Sequence, residues 1–553
     1  MSVRLDAALL AAFVLGYAVL GLAILAPEGV YSGDIGVKYV QARALGDSGF
    51  RSLDIPYPGG VLDPERGLFP LRPPFIITLD SSTQAIFSPV GALLQAAATP
   101  FLGIRGMVLV AIASGCVTLA AACLLVTRPA RTPLLVALGI GSPLWFYVVT
   151  PWEHAPAVAL GTVAFALAWR SDTRLAPVLA GLAIGAGATM RDEVLLLLPG
   201  VLLALWQRRH SWRALVAAAV ATLVPLAGAA AVEVLWFGRP PAVHLRHAVH
   251  IVQVAASLTG EPNPEVPSLT PFTLRDRYDA VVQYWLAGWI NPVGTAVLAA
   301  LWTAALVVWW RRRSSMLLVI SLAVMIAIAL ADVLDVVRAP KWPAGLVHVA
   351  PYLAMALLPA PVGAPSNPLP RAVLLTAGIY LIAAFAGVDT TGGKSLGPRL
   401  LLPLVPLLTA AAVIRHAQYR HTMGGNNALI GHAGFGLLAL AVVLHMGGTI
   451  PAYIERNEQD AKTVLRVAAA PERIVVSDDP FTVQLLFPMY YEKLIYLADT
   501  PERAARIGPL LAASEEERAI FVTRDPVPWL RLAPFHLDRG ERVGRMIVQY
   551  WMR

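Results

Sequence analysis

From Ala7 to Ala26 the chain runs twenty residues without a charge, and stretches of this kind recur up to residue 448. Inside a bilayer every backbone N–H and C=O must be satisfied within the chain, so such runs are restricted to helices. About 20 apolar residues are needed to cross the hydrocarbon. Thirteen candidate spans follow: 7–26, 104–127, 132–149, 156–170, 175–190, 193–206, 214–236, 291–310, 315–332, 345–360, 371–387, 400–414 and 428–448. The runs 156–170 and 193–206 are short and need their flanks to cross. Hydrophobic residues make up 57% of the chain and charged residues 14%, against roughly 25% charged in soluble proteins. A soluble enzyme and a disordered chain are both excluded. The net charge of +8 is spread in short clusters between apolar runs, as in a membrane anchor rather than a nucleic-acid-binding face. The two cysteines, Cys116 and Cys123, lie about 10 Å apart along a helix, beyond the roughly 7 Å that a disulfide spans. The first run is read as a retained span because Pro27 follows it at once without a small-residue cleavage site.

Arginines set the orientation. Arg4, Arg128 and Arg131, Arg170 and Arg174, Arg208, Arg209 and Arg213, Arg311 to Arg313, Arg371, and Arg415 with Arg420 fall in alternate connections, which marks those connections as cytoplasmic. This phase requires that 84–103 does not cross; its Pro89, Gly91 and Pro100 favour a re-entrant or interfacial segment. The opposite side holds a long first loop (27–103), the turn TPWEHAP, a loop from 237 to 290, the loops DVLDVVRAPKWP and DTTGGKSLGPR, and the tail beyond 449. In the tail, RIVVSDD, KLIYLAD, AIFVTRD and RMIVQYW are short β-rich runs between charged, helix-compatible stretches. The expected organisation is a polytopic α-helical membrane domain of about 13 transmembrane helices (1–448) followed by a small extracytoplasmic α/β domain (449–553).

The polar residues that can carry chemistry gather on that outer side. In Tyr31-Ser32-Gly33-Asp34-Ile35-Gly36-Val37-Lys38, Ser32 is placed to cap a helix, and four-residue spacing then puts Asp34 and Lys38 on one face. A carboxylate beside an ammonium can deprotonate an acceptor while the cation holds an anionic donor; an exposed ion pair is the plainer reading. Glu153 and His154 sit in a very short turn near the lipid boundary and suit a divalent metal, with Asp34 as a third ligand, as well as they suit solvated neighbours of an interfacial Trp152. Arg191, Asp192 and Glu193 put three charges into an apolar region, so they form a self-neutralising turn or line a polar cavity. Arg338, Lys341, Lys394 and Arg399 place four cations on the outer face against the positive-inside trend, which a phosphate anion explains. Pairing with Asp332 and Asp335 is the alternative. His244, His247 and His250 recur every third residue, but Leu245, Ala248, Val249 and Val252 give that segment the apolar stripe of an interfacial helix, which is preferred over a metal site.

Three motifs, SGDIGVKYVQA around Asp34, MRDEVLLLLPG at 190–200 and GGKSLGPRLLLP at 392–403, together with the long first outer loop and the α/β tail, resemble the GT-C superfamily of polytopic membrane glycosyltransferases. The similarity is to the branch of bacterial relatives of protein O-mannosyltransferases and lipid A aminoarabinose transferases. Asp34 stands alone where several families of that superfamily carry two adjacent acids, and Glu153 is then the candidate for the second. The resemblance implies a hexosyl- or pentosyltransferase of the bacterial plasma (inner) membrane that moves a sugar from a polyprenyl-phosphate donor to an extracytoplasmic glycan, lipid or protein, with inversion. It implies Asp34 and Glu153 as catalytic residues. Lys38, His154, Arg191, Glu193, Arg338, Lys341, Lys394 and Arg399 are implied as substrate-binding residues, with the 84–103 segment forming a groove for the polyprenyl tail. A divalent metal on Asp34, Glu153 and His154 is left open. The competing class is a multi-span lipid or solute transporter or flippase, which places its ionisable groups near the midplane and often duplicates its halves.

Overall fold

The computed structural model describes residues 3–73, 75–79, 82–239, 273–286, 292–312, 315–338, 343, 345–387, 396–422, 425–525 and 536–553. Lys341, Lys394 and the histidines 244, 247 and 250 lie outside the described residues. Among the described residues, seven helices are long and apolar enough to cross a membrane: Asp6–Ile24, Ile104–Leu125, Trp212–Trp236, Met316–Val336, Leu369–Gly387, Arg399–His421 and Asn426–Ala468.

Of the other expected spans, 156–170, 175–190 and 291–310 are continuous helices, His154–Arg170, Ala176–Met190 and Pro292–Arg312, and three are broken for identifiable reasons. The 132–149 run is split by Gly141 and Pro143 into Arg128–Gly139 and Leu144–Val149. The 193–206 run opens as a 3-10 turn, Asp192–Leu197, that passes into the helix Leu198–Arg209. At about 2.0 Å per 3-10 residue and 1.5 Å per α residue, the two together reach about 30 Å, enough for the hydrocarbon. The 345–360 run is a short helix, Leu346–Val349, followed by a 3-10 turn, Pro351–Leu357. The 84–103 segment forms two short helices, Pro89–Ala96 and Thr99–Leu102. Neither is long enough to span, and they pack through Ala92 and Ala96 on Ala42, Leu45 and Leu53 of the first loop.

The last span does not stop where its apolar run stops. Helix Asn426–Leu444 passes through a π turn, His445–Thr449, straight into Ile450–Ala468, and 43 residues of helix measure about 65 Å, twice the hydrocarbon thickness. Its second half is amphipathic and delivers the chain to a five-stranded sheet of order β4-β3-β5-β7-β6. There β3 (Ile474–Ser477), β4 (Leu494–Leu497) and β5 (Arg518–Thr523) are parallel, while β7 (Met546–Met552) runs antiparallel to β5 and pairs with β6 (His536–Val543). The helices Pro480–Leu485 and Pro501–Ala513 occupy the two crossovers, and β3 and β4 are buried at every position, as parallel strands covered on both faces must be. Strand β6 has no apolar alternation and is mostly exposed, so the sequence pattern passes over it.

The first loop is built onto this sheet. A two-stranded hairpin, β1 (Ile76–Leu79) with β2 (Ser82–Ala85), lies within it. Leu68 joins the core formed by Ile474, Tyr496 and Phe521, Tyr490 donates to the Pro56 carbonyl at 2.7 Å, and Arg72 pairs with Asp499 at 2.5 Å.

Candidate active site at the head of the first loop

The helix Gly33–Asp47 follows the first span after one irregular turn. Asp34 stands in its first turn, where a carboxylate is favoured by the helix dipole, and Lys38 one turn later. Ser32 is the N-cap residue in extended conformation, but its side chain makes no capping bond. On this helix Asp34 and Lys38 do not pair with each other. They face different partners, and each partner comes from a different part of the chain.

Lys38 is buried and donates to Glu153, with Nζ 2.6 Å from Oε2 and 2.8 Å from Oε1. Its ammonium also lies 4.4 Å from the centre of the Phe87 ring. Glu153 occupies the turn between Leu144–Val149 and His154–Arg170, with Gly91 of the Pro89–Ala96 helix packed beside it. Arg191, in extended backbone between Ala176–Met190 and Asp192–Leu197, reaches the same carboxylate at 3.4 Å and bonds Glu193 at 2.9 Å. Burial works against the Glu153 charge, but Lys38 and Arg191 outweigh it and hold this carboxyl well below the usual range.

Asp34 faces Arg399, the first residue of the 3-10 turn Arg399–Leu404, with Oδ2 and Nη1 3.6 Å apart. Arg399 Nε is buried and has no hydrogen-bond partner among the described residues. His154 is also buried, against the rings of Tyr147 and Trp152 at 5.4 and 5.3 Å, and neither of its ring nitrogens has a partner among the described residues. Four separate segments thus bring Asp34, Lys38, Glu153, His154, Arg191, Glu193 and Arg399 together.

Several expectations are corrected here. The Lys38 charge is neutralised by Glu153, so Lys38 is not the loose cation its spacing from Asp34 suggested. Arg338 is exposed at the end of Met316–Arg338 and, among the described residues, no ion pair joins it to this site; Asp332 on the same helix pairs instead with His348 at 2.5 Å. No group of three His, Cys, Asp or Glu side chains that could hold a metal gathers among the described residues. Both oxygens of Glu153 are already engaged by cations, so Asp34, Glu153 and His154 do not fit a divalent ion as they stand. The large apolar cavity, about 520 Å³, is not made by 84–103. It lies among Leu286, Trp302, Met325, Leu346, Leu401 and Leu404, with further apolar side chains around them. Phe87, which covers Lys38, has no sequence signal that links it to the site.

No protein-family profile matches the sequence, and no curated protein matches it. Solved structures are similar over nearly the whole chain. An ArnT from Cupriavidus metallidurans bound to undecaprenyl phosphate shares 15% identity over 99% of this chain and 98% of its own, with a TM-score of 0.49. The same protein in the apo state gives 14%, 98%, 97% and 0.48. An oligosaccharyltransferase from Archaeoglobus fulgidus, in complex with zinc and sulfate, shares 12% identity over 93% of this chain and 67% of its own, with a TM-score of 0.43. At these identities and scores the chemistry has to be read from the residues themselves.

Proposed function

We propose that this protein is a membrane glycosyltransferase of the GT-C kind, in which Asp34 is the general base and Arg399 holds the phosphate of a polyprenyl-phosphate sugar. The observation that carries this reading is the Asp34–Arg399 pair. It is loose and partly open to solvent, with side-chain exposures of 25% and 21%, and it stands at the head of a segment whose Leu401, Leu404 and Leu408 line the apolar cavity. A phosphate at Arg399 therefore has an apolar chamber for the first isoprene units of its lipid within two residues along the chain, as an amphiphilic donor requires.

The acceptor hydroxyl, from a glycan, lipid or protein, gives its proton to Asp34 as its oxygen attacks the anomeric carbon. The bond from that carbon to the phosphate oxygen breaks on the opposite face, and inversion follows. The departing polyprenyl phosphate needs charge stabilisation more than a proton, and Arg399, with Nε unengaged, supplies it. Glu153 holds Lys38 and Arg191 in place rather than acting on the sugar, while His154 offers ring nitrogens to the donor. The site lies on the extracytoplasmic side of a bacterial plasma membrane in this reading, as the arginine distribution implies.

The test is transfer of radiolabelled sugar from a panel of hexosyl and pentosyl polyprenyl phosphates by the purified protein in lipid, with Asp34→Asn beside it. Turnover that disappears in Asp34→Asn while donor binding persists supports the assignment. Undiminished turnover removes Asp34 from the mechanism, and movement of lipid between leaflets without transfer to any acceptor replaces the enzyme with a transporter.

A further inference from the structure

The helix that carries Asp34 has two working faces. At 3.6 residues per turn, positions 34, 38 and 41 share one face and positions 33, 36 and 40 share another, roughly 130° away. The first faces Arg399, Glu153 and the carbonyl of Phe87, to which Gln41 donates at 3.4 Å. The second lies against the α/β tail, and at Gly33 and Gly36 the tail meets it most closely with the side chain and backbone of Gln484.

The approach is closer than any residue but glycine permits. A Cβ on Gly36 would stand 2.0 Å from the main-chain oxygen of Gln484, and a Cβ on Gly33 would stand 1.9 Å from its Oε1. Gln484 is fully buried, and its side-chain oxygen and nitrogen have no hydrogen-bond partner among the described residues. A buried amide left unpartnered is destabilising, so packing alone would be better served by Met or Leu. The amide oxygen sits instead at the first turn of a helix, where the unsatisfied N–H groups carry the positive end of the dipole. Its own helix, Pro480–Leu485, is held by Asp479, which accepts from Phe481 and Thr482 N–H at 3.3 and 2.9 Å. The contact continues along the same face: Tyr491 donates to the Val40 carbonyl at 3.1 Å, and the Arg43 guanidinium lies 4.5 Å over the Tyr491 ring.

We infer that Gln484 is a positioning residue: the α/β tail sets the depth of the Asp34 helix through it, and so sets the distance between the base and Arg399. This rests on the proposed transferase reading for its effect on turnover, but the mechanical contact stands apart from that reading. Removing the wedge and pushing on it are opposite perturbations that displace the same turn. Gln484→Ala leaves space behind Gly33, whereas Gly36→Ala drives a methyl into a backbone oxygen that cannot rotate away.

The experiment combines kcat, donor binding and hydrogen exchange of amides 33–40 in the full-length protein, for Gln484→Ala, Gln484→Met, Gly36→Ala and an exposed tail control, Glu515→Ala. Expected are a fall in kcat of at least tenfold in Gln484→Ala and Gly36→Ala, donor affinity within twofold, and faster exchange at the first turn. Gln484→Met, which keeps the bulk and loses the oxygen, should fall between Gln484→Ala and wild type, and Glu515→Ala should match wild type. A kcat within twofold of wild type in both disruptive variants overturns the inference, as does an equal loss in Glu515→Ala. If wild type transfers no sugar at all, the transferase reading falls, and the inference is then decided by exchange alone: unchanged exchange in Gln484→Ala sinks it.

Discussion

One turn of a single helix separates two ion pairs of opposite character. Lys38 and Glu153 are 5% and 9% exposed and 2.6 Å apart; Asp34 and Arg399 are 25% and 21% exposed and 3.6 Å apart. The first is reinforced by Arg191 and roofed by Phe87, so its charges are spent on each other. The second leaves an arginine nitrogen unengaged and a carboxylate open to a ligand. A charge already matched in a dry site is poorly placed to respond to substrate, whereas a loose pair at the edge of a cavity can exchange its partner for a phosphate and a hydroxyl at little cost. In the sequence the two acidic candidates, Asp34 and Glu153, look alike, each a carboxylate beside an apolar run; their surroundings separate a loosely paired, partly exposed group from a buried, fully engaged one.

The sharpest way to break this comparison is Asp34→Asn, which keeps the shape and removes the base. Turnover should drop by about 10²–10⁴-fold with thermal stability within about 1 kcal/mol, read by sugar transfer and by unfolding in detergent. If stability fell instead, the loose pair would be structural after all.

Glu153→Gln should act the other way round. It leaves the Lys38 ammonium buried without its counter-charge, and breaking such a pair costs about 3–5 kcal/mol, visible as a large fall in the unfolding midpoint. The double variant Lys38→Met/Glu153→Gln removes both charges and should recover most of that loss, because replacing a buried pair by neutral groups is often close to neutral. Failure to recover would mean that the stability rests on the Arg191 contact to Glu153 rather than on Lys38.

Arg399→Ala is expected to lower kcat by about 10²–10³-fold, the size of one transition-state charge contact, and to weaken donor binding. Arg399→Lys should restore only part, since a point charge does not reproduce the guanidinium fork. Equal activity in both variants would move the phosphate to a different cation.

The smallest expected effect is in pH. Because the Glu153 carboxyl is held well below the usual range by Lys38 and Arg191, its contribution to stability is fully present above its unfolded value of about 4.3 and is lost as pH falls through its folded value. Wild type should therefore lose stability on acidification below about pH 4 faster than Lys38→Met/Glu153→Gln does, in parallel thermal melts. Curves of equal slope would mean that the pair contributes no linked proton.

Much of this protein could be read from its sequence. The alternation of apolar runs with arginine-bearing connections identified a polytopic helical membrane protein, because lipid leaves backbone polar groups no partners but their own. The β-rich runs of the tail identified four of the five strands of its sheet, and Asp34, Glu153, Arg191 and Arg399 stood out as charges where charge is expensive. Local pattern also placed Asp34 and Lys38 on one helical face. What it could not contain was partnership: Lys38 belongs to Glu153, 115 residues away, and Asp34 belongs to Arg399 from the far end of the membrane part. Nor could it show that Gly33 and Gly36 mark the approach of Gln484 rather than a flexible turn, or that the last span runs on through a π turn into the tail. Helix periodicity is written in spacings of three and four residues, whereas ion pairing, desolvation and close backbone approach depend on which distant segments meet, and the tertiary structure alone decided that.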